Sequence, residues 1–196
     1  MLDKNPDQRT IQVNETEKYL GQNTLSSILC KEPFVKAAFL SELIKQIETP
    51  IVYIDFDLLY TGYCKAGIIE KKENISLFSP IKDDWNQILK KVLLMISNKK
   101  YVVIIDSLNG LYNLLDGKDV GRLVNAYIML LAFIARESNS TVLFASVGRK
   151  KKQEGWVLSP TGRHVLDSNL ITKLSVERHN SELQLNVIQE NASEAS

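Results

Sequence analysis

Cysteine and histidine are scarce, with two of each in 196 residues. Cys30 and Cys64 fit no metal-ligand spacing and no disulfide framework, and His164 and His179 have no partners at ligating spacing. No metal site is expected, and a reducing, cytoplasmic setting is. No serine lies in a G-x-S-x-G turn, so a hydrolase triad has no support. Neither sign of charge is in excess: 24 Lys and Arg against 23 Asp and Glu leave a net charge of +1. A general electrostatic attraction for nucleic acid or membrane is therefore missing, and any such role must rest on a local patch. The apolar runs are too short and interrupted to span a bilayer, and the polar first fifteen residues do not read as a signal peptide. What remains is an ordinary globular composition, 44% apolar and 24% charged, long enough for one substantial domain.

Along the chain, residues 1–15 read as a flexible polar arm, 16–190 as one domain and 191–196 as a disordered tail. Within the domain, extended and helical patterns alternate. "SSIL" is a short strand, and "FVKAAFLSELIKQI" sets Phe34, Ala38, Leu40, Ile44 and Ile47 roughly on one helical face. "PIVYIDFDLLY" and "KYVVIIDSL" are continuous apolar runs of the kind strands buried on both faces require. "ISLFSP" is a brief strand, and residues 83–98 form a helix whose opening Asp83 and Asp84 read as caps. Residues 120–138 form a long helix, nearly apolar all round in its middle and hence expected to be well buried. "STVLFASVG" is a third buried strand, after which "RKKKQEGWVLSPTGRHVLDSN" loses all period and reads as a long loop. "LITKLSVERH" and "ELQLNVIQ" form a terminal antiparallel hairpin around "NS". Strands alternating with crossover-length helices predict a mainly parallel sheet between two helical layers, with ligands at the carboxyl ends of the strands.

Three carboxylates stand at such ends: Asp55 and Asp57 in "VYIDFD", and Asp106, followed by Ser107, in "VVIIDS". Asp and Ser also end strands as turn residues. Upstream, "CKEPFVKA" accepts the spacing of a phosphate loop, G-x-x-x-x-G-K-[ST], with Cys30 and Val35 on the glycines, Lys36 on the lysine and Ala37 on the hydroxyl residue.

With "YVVIIDSLNGLYNLL", "LLAFIARESNSTVLFAS" and "SPTGRHVLDSNLITKLSVER" following in order, the chain resembles the RecA/RadA recombinase superfamily, including its KaiC-like and Elongator-accessory relatives. The resemblance covers roughly residues 22–190 and rests on the order of the parts, since each motif alone is degenerate. It implies a RecA-like three-layer α/β/α fold with C-terminal antiparallel strands. It also implies that Asp106 stands on the Walker B strand and Asp57 at the catalytic carboxylate.

Several parts depart from the family pattern. Phosphate loops use glycine so that backbone N–H groups can approach the phosphates. Here Val35 resists positive φ, Pro33 removes a donor, and Ala37 cannot ligate magnesium. Asp57 is one methylene shorter than the usual glutamate, and Ser146 and Val147 offer no amide at the sensor position. The degenerate nucleotide site then comprises Lys36, Asp57, Asp106 and Ser107, ATP with magnesium is disfavoured as a cofactor, and no catalytic residue and no enzyme is expected.

"RKKKQEGW" lies where the family has its second DNA-contacting loop. Arg149, Lys150, Lys151 and Lys152 would neutralise phosphates, Trp156 would offer a stacking platform, and Arg163 follows. The plainer reading is a solvated loop with Trp156 tucked against the sheet. The aromatic stretch from Phe56 to Tyr63 is either core packing or a surface for association with RecA-fold proteins. The expected function is a non-hydrolysing, nucleic-acid-binding accessory in DNA recombination and repair, preferring single-stranded DNA and acting in a homo- or hetero-oligomer. The alternatives are an RNA-related scaffold subunit resembling the Elongator accessory proteins, and a divergent ATPase using Lys36, Asp57 and Asp106.

Overall fold

The structure, a computed structural model, describes residues 10–11, 16, 20, 24–115, 117–151, 155–159, 163, 171–180 and 182–188. Lys152 and His164 lie outside these described residues. Strands alternate with helices in the order β1 (Thr10–Ile11), β2 (Leu25–Cys30), α1 (Pro33–Gln46), β3 (Ile51–Asp55), α2 (Leu59–Lys65), β4 (Ile75–Phe78) and α3 (Trp85–Asn98). There follow β5 (Val102–Asp106), α4 (Leu108–Leu114), α5 (Val120–Glu137), β6 (Thr141–Lys151), β7 (Gly155–Leu158), β8 (Ile171–His179) and β9 (Glu182–Val187).

The sheet order is β1-β9-β8-β2-β6-β5-β3-β4, with β7 paired to β6. The pairs β3·β4, β3·β5, β5·β6, β2·β6 and β2·β8 are parallel, as their helical crossovers require. β8 and β9 form the expected antiparallel hairpin, but β8 also lies parallel to β2, inside the sheet rather than at its edge. Thr10–Ile11, within the stretch read as an arm, pairs with β9.

The two faces explain the long apolar strands. Ile28, Tyr53, Ile104, Leu143 and Leu174 pack with α1 on one side, while Leu29, Val52, Ile54, Val103, Ile105 and Phe144 pack with α3, α4 and α5 on the other. Successive strand residues thus enter opposite cores, and no polar alternation survives.

Four local expectations need correction. The helix face of α1 is Val35, Lys36, Phe39, Leu40, Leu43 and Ile44, with Phe34 exposed. Pro33 starts the helix and fixes that phase. The Asp84 carboxylate turns back to accept from the Ile81 N–H at 2.8 Å instead of capping α3. The supposed loop after residue 148 begins as strand: β6 runs on to Lys151 and folds back as β7. It shows no period because both faces there meet water, with Arg149 and Lys150 both exposed. Finally, α5 is buried only along Val120, Val124, Ile128, Leu131 and Ala135; its opposite face is open.

Candidate functional site

Register sets the strand ends level. Asp55 lies opposite Asp106, Asp106 opposite Ala145, and Cys30 opposite Val147. The carboxyl ends of β2, β3, β5 and β6 therefore share one edge, where a cleft of about 590 Å³ is lined by Lys31, Pro33, Lys36, Asp57, Leu59, Asn109, Val147 and Ser159.

Only Lys31 and Glu32 separate β2 from α1, and Lys36 N–H already donates to Glu32 C=O at 3.1 Å. Residues 33–35 are helical, and Pro33 has no N–H to give. This turn is not a phosphate cradle, since its backbone donors do not wrap around a common point. The residues do not fit a bound triphosphate in this arrangement, and no step through one is derived.

The lysine takes a different set of partners. Lys36, 1% exposed, carries its ammonium down the inner face of α1 and donates to Asp57 Oδ2 at 2.8 Å and to Asp106 Oδ1. Tyr53, from the neighbouring strand, donates its hydroxyl to Asp106 Oδ2 at 2.6 Å. Burial pulls the Lys36 ammonium down, but the charges of Asp106 and Asp57 outweigh it and hold its pKa above the ordinary value. Burial pushes the Asp106 carboxyl up, against the opposing pull of Lys36 and Tyr53. Burial likewise raises the Tyr53 phenol well above its usual range and the Cys30 thiol to about 12. Cys30 is therefore a thiol packed in the core.

Of the predicted site residues, Lys36, Asp57 and Asp106 come together. Ser107 caps α4, its hydroxyl accepting from the Gly110 N–H at 3.2 Å. Asp55 points elsewhere, accepting from the Thr61 N–H at 2.7 Å and holding the first turn of α2. Arg149 and Lys150 are exposed at the end of β6 and Lys151 is half-buried. Trp156, cross-strand from Lys150, is half-buried against the core, so its ring is not a free platform. The exposed Arg163 lays its guanidinium over the Tyr112 ring at 4.7 Å. Most of the aromatic stretch is packing: Tyr60 stacks on Tyr53, and Phe56 meets Trp85 edge-on, while Leu58 alone is strongly exposed.

Three residues escaped the sequence reading. Tyr53 looked like one more apolar strand residue. Asn109 grips the base of the β6–β7 hairpin: its amide N–H groups donate to Val147 C=O at 2.8 Å and Ser159 C=O at 2.6 Å, and its Oδ1 accepts from Val147 N–H at 2.8 Å. The amide missing from the sensor strand is thus supplied from α4. Gly110 lets α4 abut the turn after β3, because a Cβ there would sit 2.5 Å from Asp57 Oδ1 and 2.6 Å from Phe56 Cβ. The only signal for the last two was "NG" directly after "DSL".

No family model and no curated protein matches the chain. Among solved structures, the ATPase domain of a helicase aligns over 94% of this chain and 84% of its own, at 14% identity and a TM-score of 0.58. The fold is RecA-like. A looser alignment, to the RadB recombinase, covers 78% of this chain and 76% of that one at 13% identity and a TM-score of 0.44. One expectation is corrected here. The fold carries ATP hydrolysis in the helicase domain, so the inference that this chain is not an enzyme does not stand. That inference weighed each degenerate motif singly, whereas the fold brings Lys36, Asp57 and Asp106 to one point. Among the described residues no group of His, Cys, Asp or Glu could hold a metal ion, and no helix is long and apolar enough to cross a membrane.

Proposed function

We propose that this chain is a RecA-fold nucleic-acid-binding accessory protein of DNA recombination or repair, acting in the cytoplasm and contacting single-stranded DNA through the β6–β7 hairpin. The observation that carries the reading is the reach of β6. It runs four residues past Val147, its last pairing with β2, and presents Arg149 and Lys150 to solvent at the edge that bears the cleft. Exposed cations on a narrow ribbon neutralise phosphates without competition from carboxylates on the same strand. Gly148 permits the ribbon, since a Cβ there would meet Val157 C=O at 2.7 Å. The contact needs no nucleotide, because Asn109 fixes the hairpin base from within the chain. Fluorescence anisotropy with labelled single-stranded DNA tests this: Arg149→Ala/Lys150→Ala should weaken binding by about tenfold or more. Unchanged affinity would remove the hairpin from the interface, and tighter binding to duplex would redirect the reading.

A second reading, a divergent ATPase, is favoured by the convergence of Lys36, Asp57 and Asp106. It predicts phosphate release from ATP with magnesium that is lost in Asp106→Asn.

A further inference from the structure

α5 is apolar on two opposite faces, and the fold uses only one. The outward face carries Leu123 (39% exposed), Met129 (64%), Leu130 (40%) and Phe133 (59%), with Ala126 between them. Leu123, Ala126, Leu130 and Phe133 follow one another at spacings of three and four, the spacing of a helix-pairing seam. Single exposed apolar residues are ordinary, but a continuous stripe on one helix is not.

We propose that this face pairs with α5 of a second copy of the chain, antiparallel, about a two-fold axis passing beside Ile128. The stripe is complementary to itself under that operation. Leu123 comes opposite Phe133 of the other copy and Ala126 opposite Leu130, so each large side chain meets apolar surface and the small alanine admits the leucine. The charges at the helix ends complete the match. Each end of the pair gathers Asp119 and Arg122 of one copy with Arg136 and Glu137 of the other, two cations and two carboxylates. Within a single chain these groups make only loose, exposed local pairs, Arg122–Asp119 at 3.5 Å and Arg136–Glu137 at 3.9 Å, and are free to be shared. An unrelated apolar ligand would have no use for this end-to-end charge symmetry. An isologous contact also closes at two copies, which distinguishes it from side-by-side association into rings.

The test is sedimentation equilibrium on the full chain with a charge-swap cycle. Wild type should be a dimer, Phe133→Asp a monomer with unchanged far-ultraviolet circular dichroism, and Arg122→Glu a dimer weakened by about tenfold. The double variant Arg122→Glu/Glu137→Arg, which restores two cations and two carboxylates at each end, should recover most of that loss. A wild-type monomer, a dimer indifferent to Phe133→Asp, or a double variant no better than Arg122→Glu would each overturn the pairing.

Discussion

Lys36 shows how one side chain changes meaning between sequence and structure. Read in line, it is the surviving letter of a phosphate loop. In space, it is the shared cation of Asp57 and Asp106, fully buried and held above its ordinary pKa. Removing one partner of a buried ion pair leaves the other uncompensated, typically at about 3–5 kcal/mol. Lys36→Met should therefore destabilise the fold by about that amount at pH 8, measured by urea denaturation. The loss should shrink on acidification. Burial already raises the Asp106 carboxyl, and without the lysine it rises further. A group whose folded pKa lies above its unfolded one favours folding most below the unfolded value and loses that advantage as pH rises through the folded value. The variant should thus recover stability relative to wild type towards pH 5; a pH-independent deficit would show that Asp106 does not feel the lysine's loss.

Among the elements, the decisive contacts are the ones the periodicities could not announce. Strand and helix patterns were legible because the parallel strands bury both faces and write long runs such as "YVVIID". Expected and observed strands agree closely except where solvent reaches both faces of the β6 extension. The carboxylates at strand ends were legible too, since their register follows from parallel pairing. Asn109 and Gly110 were not, because a clamp and a close approach depend on what α4 packs against. Asn109→Ala should speed amide hydrogen exchange across 148–158 while leaving β5 protected, because three hydrogen bonds to the hairpin base are lost. Equal exchange in both proteins would mean the hairpin is held elsewhere. Gly110→Ala should cost about 1–3 kcal/mol in thermal or urea unfolding, because Phe56 and Asp57 must shift. A neutral outcome would show that the turn after β3 is slack.

At the scale of the whole molecule, the fold collects its unusual features on one edge: the buried ion pair, the cleft, the Asn109 clamp and the basic ribbon. The net charge of +1 concealed this, because whole-chain charge averages over a surface whose cations are concentrated at one strand end. The proposed function stands or falls on whether the exposed end of β6 meets nucleic-acid phosphates, and the salt dependence of binding reads that contact. Each phosphate contact on a single strand contributes about 0.7 to the slope of log affinity against log salt. For two contacts, Arg149→Ala/Lys150→Ala should flatten the wild-type slope by about 1.4. Parallel plots for the two proteins would mean that these cations touch no phosphate.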